Sequence, residues 1–104
     1  MVEMTRTDFV EYSKRLQFIL SQKYKKRFRR RVFKMVGTNP FIEIGVKDWR
    51  KDLVPNELRV LIAKTLGFSP SDWSNVQYGN IRDTYITLHY AEWQKVLQAI
   101  GDSR

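Results

Sequence analysis

The chain contains no cysteine and only one histidine, His89. Without thiols there are no disulfides, no thiolate metal sites and no Cys–His nucleophile pair. A single imidazole cannot build a histidine cluster around a metal. No apolar run approaches the roughly 20 residues of a membrane span. Residues Met1 to Thr7 lack the apolar centre of a signal peptide. The expected setting is intracellular, cytoplasmic or nucleoid-associated, with no membrane partner, no metal and no cofactor. There is also no glycine-rich phosphate loop, no internal repeat and no low-complexity linker, so residues 1–104 are taken as one domain.

The most telling shortage is of one sign of charge. No acidic residue occurs between Glu11 and Glu43, whereas ten cations do: Lys14, Arg15, Lys23, Lys25, Lys26, Arg27, Arg29, Arg30, Arg31 and Lys34. Elsewhere nine basic residues face eleven acidic ones, so the net charge of +8 resides in this one segment. An inert surface mixes both signs; a one-signed segment attracts polyanions. Nucleic acid is the first candidate, because phosphate neutralisation by Lys and Arg supplies most non-specific affinity. An acidic protein partner and an anionic lipid surface are the alternatives for the same charge.

Apolar spacing at Phe9, Tyr12, Leu16, Ile19 and Leu20 predicts an N-terminal amphipathic helix. Thr5 or Thr7 would cap it, Asp8 suits its first turn, and it should end near Lys25 or Lys26. Phe18 lies off the apolar stripe. Residues 28–36 then suit a strand, the four residues 37–40 a turn, and residues 41–46 a second strand with Ile42, Ile44 and Val46 on one face. On such a strand Arg29 and Arg31 share one side and Arg30 takes the other. Pro55 and Gly67 bracket a helix over residues 56–66, with Leu58, Leu61, Ile62 and Leu66 inward. Ser69 and Pro70 open a short third helix to about Gln77, which Gly79 and Asn80 break. Residues 84–90 alternate as a strand, with His89 opposite the Ile86 and Leu88 face. Residues 91–100 form a closing helix that Gly101 ends. Trp49, Trp73 and Trp93 are expected in the core or packed on the hairpin. The order of elements is α+β with an antiparallel sheet and packed helices.

In the basic segment, Arg29, Arg30 and Arg31 are the expected centre of a phosphate-binding face, since guanidinium forks match phosphate oxygens. Tyr24, Phe28 and Phe33 are interleaved with the charges. They would either stack on unpaired bases or simply fill the core, and hairpin alternation favours the core for Phe33.

Ala63, Gly67, Ser69, Trp73 and Val76, within residues 56–79, carry a resemblance to the helix-turn-helix of bacterial and phage repressors. The resemblance implies a small residue at the helix crossing, a left-handed turn glycine and an apolar pair locking a second helix. It also implies that Ser71, Asn75 and Gln77 face DNA bases, with Asn and Gln suited to adenine, and that a homodimer grips a two-fold operator. That second helix has no Lys or Arg and carries Asp72, so the basic segment would have to supply phosphate affinity. Two helices joined by a turn as scaffold is the plainer alternative. Residues 85–97 also resemble the last strand and helix of coactivator-type single-stranded DNA-binding proteins, which hold unpaired DNA on a curved antiparallel sheet.

Catalysis has little to work with. No nucleophile motif accompanies His89, and a ribonuclease built from Arg82, Asp83, Tyr85 and His89 ranks last. The expected function is a non-catalytic nucleic-acid-binding protein, first a small DNA-binding regulator. An RNA or single-strand binder comes next, and then an adaptor for an acidic partner.

Overall fold

The structure, a computed structural model, describes residues 4–33, 39–69 and 79–102. The first helix, α1, spans Arg6–Tyr24. Its start is a capping box: Asp8 N–H donates to Thr5 Oγ1 at 3.2 Å, and Thr5 N–H donates to Asp8 Oδ2 at 2.7 Å. It ends at Lys25, whose left-handed φ of 53° turns the chain into β1, Phe28–Val32. Strand β2 follows at Phe41–Val46, then α2 at Asn56–Leu66, β3 at Gly79–Ile81, β4 at Tyr85–His89 and α3 at Tyr90–Asp102. The four strands form one antiparallel sheet in the order β1-β2-β4-β3. The α+β class expected from the sequence is the one observed.

Period-two alternation decides which side of the sheet is covered. Phe28, Ile42, Ile44, Val46, Ile81, Ile86 and Leu88 all point to one face and are buried. Leu16 and Leu20 of α1, Leu58 and Ile62 of α2, and Trp93, Val96 and Ile100 of α3 pack into the same cluster. Burial of these side chains, at roughly 25 cal/mol per Å² of apolar surface, is the main force closing the fold. Trp93 sits at its centre, with Nε1–H donating to the Ile42 carbonyl at 2.8 Å.

Helix α1 is fastened along the outer border of β1 at three points. Arg6 Nη2 donates to the Val32 carbonyl at 3.4 Å, and Gln17 Nε2 donates to the Phe28 carbonyl at 2.6 Å. Between them Arg30, reaching over from the strand, donates to Ser13 Oγ at 3.2 Å. The helix therefore runs antiparallel to β1.

Several expectations need correction. Phe33 N–H donates to the Phe41 carbonyl, a register that does not fit a four-residue turn over 37–40, which would set Val36 against Phe41. Proline has no N–H for a ladder, and Asn39 and Pro40 are engaged elsewhere. The Pro40 carbonyl accepts from Tyr90 N–H, and Asn39 Oδ1 accepts from Ala91 N–H. These contacts cap α3, which starts at Tyr90, inside the expected strand, and runs through Gly101 to Asp102. Gly79 and Asn80 belong to a strand: pairing with β4 overrides their turn character. Trp49 is 57% exposed and is not a core residue. The short helix expected from Pro70 to Gln77 and Trp73 lie outside the described residues, as does the end of the 28–36 strand.

Candidate nucleic-acid interface

The three described helices all pack on the face just described. Among the described residues the opposite face of the sheet carries no helix, and the register sorts its side chains into rows. At one end Arg27 lies opposite Lys47, whose N–H donates to the Arg27 carbonyl. The next row is Arg29, Gly45 and Tyr85; then come Arg31, Glu43, Thr87 and Asn80. The far row is Phe33, Phe41 and His89. Arg27, Arg29 and Arg31 thus form a column along one border of the sheet, spaced by two residues, or roughly 7 Å. The column leads to the aromatic row.

The aromatic row is internally ordered. The Phe41 and His89 rings stack, with centroids 3.9 Å apart and planes at 25°. His89 Nδ1 lies 3.0 Å from the Asn39 carbonyl oxygen, which can only accept, so Nδ1 carries the proton. The Arg31 guanidinium lies 4.5 Å from the Phe33 ring centroid, a cation–π arrangement. Beside the row is a cavity of about 190 Å³ lined by Phe33, Phe41, Gly79, Asn80 and Thr87.

Charge balance within the face is uneven. Glu43 is nearly buried, and its carboxylate is held by Arg29 at 2.6 Å. Gly45 permits this: with no side chain there, the Arg29 guanidinium lies flat on the strand where a Cβ would collide with it. Arg29 is thus tied down by an acid that hairpin register brings to it. Arg27, Arg31 and Lys47 have no ion-pair partner among the described residues. At the Arg27 end, Lys25, Lys26, Arg27 and Lys47 line a cleft of about 420 Å³ together with Asp48 and Asp52.

The expected sites are therefore only partly brought together. Arg27, Arg29 and Arg31 share the uncovered face, and Lys25 and Lys26 border it at the cleft. Arg30 is turned to the helix side and spent on Ser13, so the three consecutive arginines are not one centre. Lys14 pairs with Glu11 at 3.2 Å on the exposed side of α1. Arg15 lines a separate groove between α1 and α3 with Tyr12, Ile19, Gln94, Leu97 and Gln98. Burial and then the neighbouring Tyr90 push the Tyr12 phenol well above its ordinary range, so it stays protonated there. Lys23 lies 6.0 Å from the Tyr24 ring centroid. Lys34 and the recognition-helix candidates Ser71, Asn75 and Gln77 lie outside the described residues. Phe28 is core, whereas Phe33 belongs to the uncovered face.

Lys47, Phe41, Asn80 and Thr87 were not among the expected site residues. The signal for Lys47 and Phe41 was present in the hairpin, but only the correct register aligns them with Arg27 and Phe33. Asn80 and Thr87 had no signal, since the strand holding Asn80 reads as a helix breaker.

Lys26 and Asp52 are in direct contact across the cleft. The hydrogen bond from Lys26 holds the Asp52 carboxyl below its ordinary range, against the opposing effect of desolvation. A depressed carboxylate stabilises the fold above its unfolded pKa, and that contribution is lost as pH falls through the folded value. The parent chain should therefore melt above Asp52→Asn at neutral pH. The difference should close as the pH drops below about 4. Thermal midpoints of the two proteins across that range measure it.

No protein-family model, no curated protein and no solved structure matches this chain. No group of three or more His, Asp or Glu side chains suited to a metal occurs among the described residues, and no described helix is long and apolar enough to cross a membrane.

Proposed function

We propose that this protein binds single-stranded nucleic acid on the uncovered face of its sheet. The observation that carries the proposal is the juxtaposition of the Arg27–Arg29–Arg31 column with the Phe33–Phe41–His89 row. Phosphates of an extended strand would follow the column and Lys47, releasing counterions. Its bases would lie on the aromatic row, which offers stacking to any base. Both parts come from one hairpin and its β4 neighbour, so they are held at fixed spacing before any ligand arrives. No catalytic step is part of the proposal; a lone imidazole against an aromatic ring serves stacking.

The test is an anisotropy titration with matched single-stranded and duplex oligonucleotides. Single strands should bind more tightly than duplex. Three phosphate contacts would give a slope near −0.7 per contact in log K against log salt, roughly an order of magnitude lost between 50 and 200 mM. Phe41→Ala should weaken single-strand binding by about 1–3 kcal/mol. No binding at low salt ends the proposal. Preference for duplex would transfer it to the repressor-like turn. That turn's first helix is α2, ending at left-handed Gly67, with buried Ala63 where a small residue is required.

A further inference from the structure

The arginines of the column are not placed alike. Arg29 is the one whose charge is already answered, by Glu43 at 2.6 Å. Its orientation is equally particular. From the point where a Cβ on Gly45 would stand, Arg29 Cζ and Nη2 are 2.8 Å away and Nε is 3.0 Å away. In an edge-on approach the central carbon would be clearly farther than its nitrogens. The near-equal distances therefore set the guanidinium plane face-on against β2. Its inner face lies on Gly45, and its outer face is turned away from the sheet, on a side chain that is 39% exposed.

We infer that the outer face of the Arg29 guanidinium is a second stacking position for an unpaired base, and that Arg29 is not a phosphate contact. This rests on the single-strand platform proposed above and assigns one of its cations to bases. Guanidinium planes stack on splayed-out bases, and cation–π attraction strengthens the contact. Holding a long side chain in one geometry ordinarily costs entropy on binding. Here Glu43 and the bare strand at Gly45 have fixed the plane before any ligand arrives. Phosphate would use the guanidinium edge instead. On that edge Nη1 already donates to Glu43, whose carboxylate repels a second anion. Arg27, Arg31 and Lys47, with no ion-pair partner among the described residues, remain as the three phosphate contacts. Gly45 and Phe41 are four residues apart on β2, or roughly 13 Å. Separate bases of one strand therefore occupy the guanidinium and the aromatic row.

The experiment titrates the whole chain with a short all-thymine DNA strand at several salt concentrations. Arg29→Lys keeps a charge beside Glu43 and removes the plane. It should bind about tenfold more weakly at every salt concentration, with the parent's salt slope. Gly45→Ala should weaken binding in a second, independent way, because its Cβ lifts the guanidinium off the strand. That collision falls on the end of a flexible side chain, so the fold should survive it. A double variant, Arg29→Met with Glu43→Gln, removes both charges of the pair and should also keep the parent's salt slope. Were Arg29 a phosphate contact, that slope would shrink by about 0.7. Parent affinity in either Arg29→Lys or Gly45→Ala, or the smaller slope in the double variant, overturns stacking on Arg29. In those cases the platform stands, and Phe41→Ala still weakens binding. Failure of the parent chain to bind at low salt removes the platform and this inference together.

Discussion

Trp93→Ala is expected to destabilise the fold by about 3–5 kcal/mol, which is a large part of the roughly 5–15 kcal/mol that holds a domain of this kind together. Trp93 is fully buried among β2, β4 and α3 residues, so truncation leaves a cavity that neighbouring strands cannot close. It also removes the indole donor from the Ile42 carbonyl. Equilibrium denaturation followed by far-ultraviolet circular dichroism checks this. Trp93→Phe separates the two causes: it keeps most of the volume and loses the hydrogen bond, so about 1–3 kcal/mol is expected. A Trp93→Ala loss below about 1 kcal/mol would mean that the packing described around α3 is wrong.

Gly79→Ala should be the most damaging change of a single methyl group. The φ of 137° lies where side chains are strained, and a Cβ there would run into the Thr87 carbonyl. Backbone strain alone costs about 1–3 kcal/mol, and the collision with a strand carbonyl has no flexible side chain to absorb it. Either β3 detaches from β4 or the pair shifts, and the cavity edge moves with it. Hydrogen exchange at Asn80 and Thr87 should accelerate, together with a fall in the denaturation midpoint. Gly101→Ala is the control, because nothing lies near a Cβ at that position. It should change little.

Legibility in the sequence followed how local the determining physics was. Helix α2 was bounded correctly because Pro55 and Gly67 act on their immediate neighbours. The inward residues of β2 and β4 were clear from alternation, and so was the opposite facing of Arg29 and Arg30. Helix α3 was misplaced at both ends. Its first turn is capped by Asn39, 52 residues before Ala91, and no local pattern announces a cap supplied from so far away. Strand β3 was missed because three residues starting Gly-Asn have no strand character until β4 lies beside them. Charge counting singled out the basic segment, but it could not show that Glu43 would reach Arg29 or that Arg30 would be turned to the helices. It also gave no weight to Phe41 or Lys47, which lie outside the counted run or carry no charge. The uncovered face became visible only when register placed residues from separate strands in common rows.

The three fastenings of α1 along β1 bear on self-association. A border strand with free carbonyls is a template on which another copy can add its own strand, the first step toward fibrils. Here the outward carbonyls of Phe28 and Val32 are already occupied by Gln17 and Arg6. An incoming strand would have to displace both side chains and settle beside a run of like charge. The border that carries the arginine column is thus poorly suited to growing a sheet with its own kind.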